Sequence, residues 1–384
     1  ISQERYSIYI LSAWYSQITY NKIVIIFKKY YILLVIIILA ATLRLWNLSG
    51  NPPGLTWDEA SLGYNAYSIL QTGKDEYGNL FPLNLKSFGD FKPALYTYLT
   101  IPFVAFLGLN EWAVRLPSAF FGVASVILIY FLAREIFQNK RVGLFSSLLL
   151  AILPWHLHFS RGGWETNVAT FFMTLGIYLF IKGLPVGKKS MQSGFLLWSM
   201  VLFLASMYTY QSPRLIIPVL LIAVVILYRR YFALIHKSIK IKKILLGLAM
   251  LSVLSIPLLF QFLSGAGSAR FEGLSFLADS GPVSRVNELR GQHDSLNSLS
   301  AVFVHNKLTA YGAAFFGHYL DHLRPDFLFI NGDPIIRNKV PETGQFYLIE
   351  SLFLIIGLIA LIKFRYEHTK LLIAWILIAP LASS

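Results

Sequence analysis

The sequence predicts an all-α, polytopic membrane protein. Hydrophobic residues make up 56% of its 384 residues and charged residues only 14%, and the mean hydropathy is +0.59. Soluble domains are instead about half apolar and a quarter charged. Ten runs of apolar residues carry few or no charges, and most are close to the length of about 20 residues that a membrane-crossing helix needs. The absence of cysteine excludes disulfides, thiolate metal sites and a cysteine nucleophile.

The net charge of +14 indicates how the chain is oriented. In a soluble protein this excess would point to nucleic acid or another polyanion. In a membrane protein, short loops rich in Lys and Arg lie on the cytoplasmic side. If all ten apolar runs crossed the bilayer, the basic segment 1–30 would lie opposite the other basic loops, which are 134–141, 182–194, 229–243 and 363–370.

Removing one run from the set of spans resolves this conflict. Residues 93–110 carry Pro93 and Pro102 and follow a long polar loop, so we interpret them as a helix at the outer interface. The five basic segments then share one side, with 19 Lys and Arg against 3 acids. The sequence therefore predicts nine spans with a cytoplasmic N-terminus, the bilayer as partner and no nucleic-acid partner.

The chain divides into four parts on this basis, and the largest of them includes the first outer loop. Residues 1–29 form an atypical N-terminal segment with no assigned function. The first outer loop is 47–114, the long outer loop is 263–345, and 346–384 hold two further spans. The last apolar run has only 14 residues, so we expect a truncated C-terminus. The transmembrane catalytic module, 30–262, contains seven spans at about 30–46, 115–134, 142–159, 165–183, 194–210, 213–229 and 243–263.

The first outer loop contains two acids at a predicted helix start. Thr56 and Glu59 form a capping-box pattern, which predicts a helix from Trp57 to about Gln71 that stops at Gly73. Asp58 and Glu59 fit two interpretations. They are either acids favoured by the helix dipole, which the spacing alone favours, or catalytic carboxylates.

Several other polar side chains lie next to predicted spans on the outer side. Lys92 is either an interfacial cation or a ligand of a lipid phosphate. Arg161 and Glu165 form either a structural ion pair or part of a binding site. His156 and His158, two residues apart, do not share a helix face, so we predict no zinc site. Outer-loop acids still leave a divalent cation open. Further polar clusters contain Asp90, Tyr210, Gln211, Arg214 and Arg337.

An ordered set of motifs carries a family resemblance. It consists of Asp58-Glu59, Lys92-Pro93-Ala94-Leu95-Tyr96, Arg115-Leu116-Pro117-Ser118, Ser160-Arg161 with Glu165 shortly after, and the long outer loop. In these features residues 40–384 resemble GT-C membrane glycosyltransferases. The resemblance is to family 39, the polyprenyl-phosphate-sugar-dependent group that includes the protein O-mannosyltransferases and the lipid A aminoarabinose transferase.

The resemblance implies a fold, a reaction and a set of roles. The fold is a GT-C transmembrane helix bundle with large extracytoplasmic loops. The reaction is inverting transfer of a sugar from a polyprenyl-phosphate carrier to a hydroxyl of a lipid, glycan or protein, on the extracytoplasmic face. The resemblance implies no specific cofactor. The implied catalytic residues are Asp58 and Glu59, the donor-phosphate ligands are Lys92, Arg161, Arg214 and Arg337, and the substrate contacts are Glu165, Tyr210, Gln211 and Asp90.

Two features depart from the family pattern, and two other functions stay open. Relatives usually carry Asp where this chain has Glu165, and some carry Lys near the position of Gln211 and Arg214. A transporter or flippase is one alternative, although no acid lies in the middle of a span and no inverted repeat is visible. A polysaccharide polymerase or ligase is the other, and we would expect it to rely on Arg and His.

Overall fold

The structure is a computed structural model that describes residues 30–87, 90–185, 191–232, 241–263, 281–293, 298–364 and 366–383. The N-terminal segment 1–29 lies outside this range. In chain order the first helices are α1 Tyr30–Leu45, α2 Trp57–Thr72, α3 Leu95–Leu107, α4 Glu111–Phe137, α5 Lys140–Ile152, α6 Pro154–Arg161, α7 Glu165–Gly183, α8 Ser193–Thr209 and α9 Pro213–Leu227. They are followed by α10 Arg229–Phe232, α11 Ile241–Leu263, α12 Gly281–Gly291, α13 Leu299–Val304, α14 Lys307–Asp321, α15 Glu350–Phe364 and α16 Thr369–Ile378.

Helix α2 forms as its sequence predicts. The Thr56 hydroxyl accepts a bond from the Glu59 N–H (3.2 Å), and the Glu59 carboxylate accepts one from the Thr56 N–H (2.9 Å). This reciprocal pair satisfies two backbone donors that a helix start leaves open. Gly73 ends the helix with a φ of 71°, a left-handed conformation that favours glycine. The capping box therefore fixes where the two acids of the first outer loop lie.

A break divides the region predicted as one span at 142–159. The structure has two helices there, α5 and α6, bent by 58° at Leu153. The physical reason is Pro154, which has no N–H for the Leu150 carbonyl and disfavours helical backbone in the residue before it. Helix α6 is consequently a short, separate element whose residues do not continue the direction of α5.

The first outer loop also departs from an all-α fold. A two-stranded antiparallel hairpin, β1 Asn84–Ser87 and β2 Asp90–Pro93, precedes α3. Helix α3 occupies most of the predicted interfacial helix at 93–110 and ends at Gly108, whose φ is 75°. Its 13 residues correspond to about 20 Å of helix, less than the roughly 30 Å hydrocarbon core of a bilayer.

The largest apolar core joins α4, α7, α8, α9 and α16, with Ile177, Phe180, Ile217 and Leu220 among its buried members. Helix α15 is the opposite case, because its apolar side chains are largely exposed and only its first residue, Glu350, is buried. Such wide apolar surfaces are unusual on soluble monomers and are typical of interaction or membrane-facing surfaces.

Helix length gives a limited count of spans. Within the described residues, α4 has by itself the length and hydropathy of a membrane span, and α5 with α6 passes the same test if the bent pair is one span. Six further apolar helices have 10 to 17 residues. The set of nine spans and its orientation stay a prediction.

Candidate functional site

Asp58 lies between two cations at the start of α2. One carboxylate oxygen is paired with the Lys92 ammonium, and the other lies 3.3 Å from a guanidinium nitrogen of Arg337. The Arg337 guanidinium also lies over the Trp57 ring, 5.7 Å from its centroid. One carboxylate faces two cations, so this cluster carries an excess positive charge. We call Asp58, Lys92 and Arg337 the ion cluster.

The β-hairpin brings Lys92 to this position. In its register Lys92 lies opposite Leu85, which is buried against α2 and α3. The amide of Gln211, in the turn between α8 and α9, donates to the Phe91 carbonyl over 2.6 Å. The Tyr98 hydroxyl, on α3, donates to the Pro82 carbonyl over 2.8 Å. These two bonds hold the hairpin that carries Lys92. The Lys92 side chain is only 14% exposed.

Glu59 points away from the ion cluster and bonds with Arg115. Its carboxylate accepts from the Arg115 guanidinium at 2.8 and 3.3 Å and from the Gly163 N–H at 2.9 Å. Both charged side chains are almost completely buried. The same guanidinium also donates to four backbone carbonyls of the first outer loop, those of Leu48, Ser49, Pro52 and Gly54.

These contacts keep Glu59 ionised. Burial alone would raise the pKa of its carboxyl group, but hydrogen bonds from Arg115, Thr56 and Gly163, together with the charge of Arg115, lower the pKa below its ordinary value of 4.5. With its lone pairs occupied, this carboxylate anchors the loop. A Cβ at residue 163 would approach the Glu59 Cγ to 3.0 Å, so the glycine there permits the close contact.

Arg161 and Arg44 link α1 to the break between α5 and α6. Arg44 donates to the carbonyls of Leu150 (3.2 Å) and Ala151 (3.0 Å), two acceptors near the break at Pro154. Its guanidinium also lies 2.7 Å from His156 Nδ1. In the other direction, Arg161 donates to carbonyls at the end of α1 and just beyond it, those of Leu43, Trp46, Asn47 and Asn51.

The remaining predicted site residues lie outside the ion cluster. Arg214 donates to the Met207 carbonyl (3.2 Å) and to the Gln261 side chain (3.1 Å). Glu165 is buried in the first turn of α7. Tyr210 directly follows α8 and is half-buried. Asp90 pairs through its backbone with Ser87, but its side chain lies outside the described part of the chain.

The structure thus brings together Asp58, Lys92 and Arg337, and places Gln211 against the strand beside Lys92. It engages Arg161 with carbonyls at the end of α1 and just beyond it. Sequence reasoning did not predict a role for Trp57 or for the Arg115 anchor. The available signal for Arg115 was a single Arg close to the start of a long apolar run, where a charge is costly unless it is paired.

The described residues can also be compared with the ligand sets that hold metal ions in proteins. No group of three or more His, Asp or Glu side chains among them is placed to hold one. The chemistry open to the ion cluster itself is recognition of an anion by Lys92 and Arg337, together with acceptance of a proton by Asp58.

Comparison with known sequences identifies similar proteins. The family described as dolichyl-phosphate-mannose-protein mannosyltransferase matches residues 34–266, more than half of the chain. YkcB of Bacillus subtilis (strain 168), a provisionally named mannosyltransferase, is 32% identical over 99 residues, which are 26% of this chain and 14% of YkcB. An uncharacterised protein of Aquifex aeolicus (strain VF5) is 29% identical over 151 residues, 36% of this chain and 28% of that protein.

Solved structures show where else this fold occurs. The archaeal oligosaccharyltransferase AglB from Archaeoglobus fulgidus, in complex with an inhibitory peptide and a dolichol-phosphate, superposes with a TM-score of 0.52 at 16% identity. The superposition covers 93% of this chain and 49% of AglB. At this identity the likeness shows a shared fold, and the chain spans about half of the AglB length. ArnT from Cupriavidus metallidurans, bound to undecaprenyl phosphate, has a TM-score of 0.47 at 14% identity, over 92% of this chain and 59% of ArnT.

Proposed function

Because the chain belongs to the dolichyl-phosphate-mannose-protein mannosyltransferase family of GT-C membrane glycosyltransferases, we propose that it transfers a sugar from a polyprenyl-phosphate carrier to an acceptor hydroxyl. The observation that carries the proposal is the ion cluster, in which a single carboxylate at a helix start is held by two cations. The AglB structure, whose fold this chain shares, is a complex with a dolichol-phosphate.

The charges of the ion cluster suit a phosphodiester donor. Without substrate, Asp58 is the partner of both Lys92 and Arg337. A donor phosphate carries one negative charge and would balance the excess cation, so that Lys92 and Arg337 become its ligands. Asp58 then loses its ion-pair partners to the phosphate and is available as a base. The cluster therefore couples donor binding to the release of the base.

The proposed reaction is a single displacement. The acceptor hydroxyl oxygen attacks C1 of the sugar, its proton moves to Asp58, and the bond between C1 and the phosphate oxygen breaks with its electron pair on that oxygen. The leaving polyprenyl phosphate gains a second negative charge. Lys92 and Arg337 stabilise this charge as it develops, which is the form of electrostatic stabilisation that accelerates a reaction. Glu59 acts by anchoring the loop through Arg115.

The proposed orientation places this site on the extracytoplasmic face. Contacts between predicted loops support the grouping of loops on which this orientation rests, because they join loops assigned to the same side. At the predicted outer side these contacts are Asp58 with Arg337, Arg161 with Asn51, and Gln211 with Phe91. At the predicted cytoplasmic side they are Lys182 with Glu135, Tyr228 with His368, and Tyr231 with Glu367.

Replacement of Lys92 tests the role of the ion cluster. We expect Lys92→Ala to lower kcat for transfer from a polyprenyl-phosphate sugar by about 10²–10³-fold, the loss typical of removing one donor that stabilises a developing anion. The matched control is Lys86→Ala, which removes an exposed lysine from the other strand of the same hairpin. Unchanged transfer by the Lys92 variant would refute the assignment.

Single cysteines just before α4 and at the start of α5 test the orientation. The 384 residues contain no cysteine, so Asn110→Cys and Lys140→Cys are introduced one at a time, with the unsubstituted protein as the labelling control. We expect a membrane-impermeant thiol reagent to label residue 110 in intact cells and residue 140 only after permeabilisation. The reverse pattern would contradict the orientation. Labelling of residue 110 only after permeabilisation would also return 93–110 to the set of spans.

A further inference from the structure

Helix α6 holds the loop segment that carries Arg337. The Nε2 of His158 lies 2.8 Å from the carbonyl oxygen of Arg337, and the N–H of Trp155 donates to the carbonyl of Gln345 over 3.4 Å. A carbonyl oxygen only accepts, so His158 must carry its proton on Nε2 in this contact. Two residues of one short helix thus hold both ends of the segment 337–345, which we call the strap.

The helix that holds the strap is itself fixed at both ends. The guanidinium of Arg44 ties the α5–α6 break to α1 through the Ala151 carbonyl (3.0 Å) and His156 Nδ1 (2.7 Å). Arg161, the last residue of α6, donates to carbonyls at the end of α1, including that of Leu43 at 2.5 Å. His158 therefore lies on a helix that the buried Arg44 holds near its start. Arg161 holds the other end through several hydrogen bonds.

The strap has other contacts, such as those of Lys339 with the Asn331 carbonyl (3.0 Å) and of Gln345 with the Phe327 carbonyl (3.4 Å), but these do not involve Arg337. The Arg337 side chain is 47% exposed and contacts Asp58 at the edge of the site. An arginine side chain has many rotamers, and ordering it costs entropy that a fixed backbone lowers. The 3₁₀ turn Ile336–Asn338 contains Arg337, and the bond from His158 fixes the carbonyl in the middle of that turn.

We propose that His158 is a positioning residue, which holds the strap on α6 so that the Arg337 guanidinium meets the donor phosphate. The inference rests on the proposed function, because it gives Arg337 the phosphodiester as its ligand. His158 acts on the donor only through Arg337. It follows that the effect of losing His158 should vanish in a protein that already lacks Arg337.

Two substitutions separate the hydrogen bond from the shape of the ring. His158→Phe keeps a flat ring and removes the donor, whereas His158→Gln retains an N–H. We expect kcat/KM for the polyprenyl-phosphate sugar to fall about tenfold in His158→Phe, the scale of one lost hydrogen bond, and to stay within about twofold in His158→Gln. The matched control is His318→Phe. His318 is an exposed histidine of α14, in the long outer loop that also carries Arg337.

A double-mutant cycle tests the route of the effect. The pair His158→Phe with Arg337→Ala should have the same kcat/KM as Arg337→Ala alone, because residues that act as one unit are not additive. A further tenfold loss in the double variant would show that His158 acts by another route, and would overturn the inference.

A spin label gives a readout that does not need the reaction. Ile336 is 78% exposed and precedes Arg337, so a spin label on Ile336→Cys reports the motion of the strap when the rest of the protein is unchanged. We expect faster label motion in His158→Phe and wild-type motion in His158→Gln. Unchanged label motion in His158→Phe would refute the claim that the His158 hydrogen bond holds the strap. Wild-type kinetics of Arg337→Ala would instead overturn the phosphate role on which the inference rests.

Discussion

Asp58→Asn is expected to lower kcat for sugar transfer by about 10²–10⁴-fold, the usual contribution of a positioned general base. Asparagine has nearly the same shape and retains an oxygen that can accept from Lys92, so the ion cluster should stay assembled. It cannot take the proton of the acceptor hydroxyl. Donor binding should persist, since the two cations that receive the phosphate are intact.

Two controls make this result specific. Asp321→Asn changes an exposed acid that pairs with Arg324 at the end of α14, and should leave kcat unchanged. Thermal unfolding of the Asp58 variant in detergent should match that of the wild type. Full transfer activity in Asp58→Asn would refute the assignment of Asp58 as the base. If Asp58→Asn does not fold, Asp58→Glu takes its place, and we expect it to retain partial activity.

The second large effect is on stability. Arg115→Met should destabilise the protein by about 3–5 kcal/mol, because it leaves the buried Glu59 carboxylate without its cation. It also removes the donor for four loop carbonyls, such as that of Leu48. Differential scanning measurements on purified protein would show this as a large drop in Tm, or as loss of the folded protein.

A partly exposed ion pair provides the comparison for Arg115. Lys182 and Glu135 are paired at 2.8 Å with side chains 30% and 18% exposed. Lys182→Met should therefore cost only about 0–1 kcal/mol. Equal and small changes in Tm for the two variants would contradict the anchoring role of Arg115. The variant Glu59→Gln, which removes the buried charge, should recover part of the stability in an Arg115→Met background.

Local sequence signals predicted the helices well. The capping box of Thr56 and Glu59 and the left-handed Gly73 determine the two ends of α2 within a few residues of chain. The apolar runs mark helices at α4, α7, α8 and α9, because burial in a core or bilayer needs uninterrupted apolar sequence. The break before Pro154 was not predicted, although proline carries a local signal for it.

The site was less predictable, since its contacts join distant parts of the chain. Asp58 meets Arg337 across 279 residues, and Glu59 meets Arg115 across 56. The capping box marks Glu59 locally, but nothing local predicts that Asp58 faces Lys92 and Arg337 while Glu59 faces the buried Arg115. Proximity in sequence groups Arg161 with Glu165, whereas its hydrogen-bond partners in the structure include carbonyls at the end of α1. The family resemblance, confirmed by the match over residues 34–266, indicates Asp58, Lys92 and Arg337, which local signals alone do not bring together.

The most direct test of the account is a donor competition in membranes that carry the natural protein. One donor is a polyprenyl-phosphate sugar with a radiolabelled sugar, and the other is a nucleotide sugar with a distinguishable label. The account predicts that only the lipid-linked label reaches the acceptor fraction, and that Asp58→Asn abolishes its transfer. Transfer from the nucleotide sugar that survives when the lipid-linked pool is blocked would contradict the account.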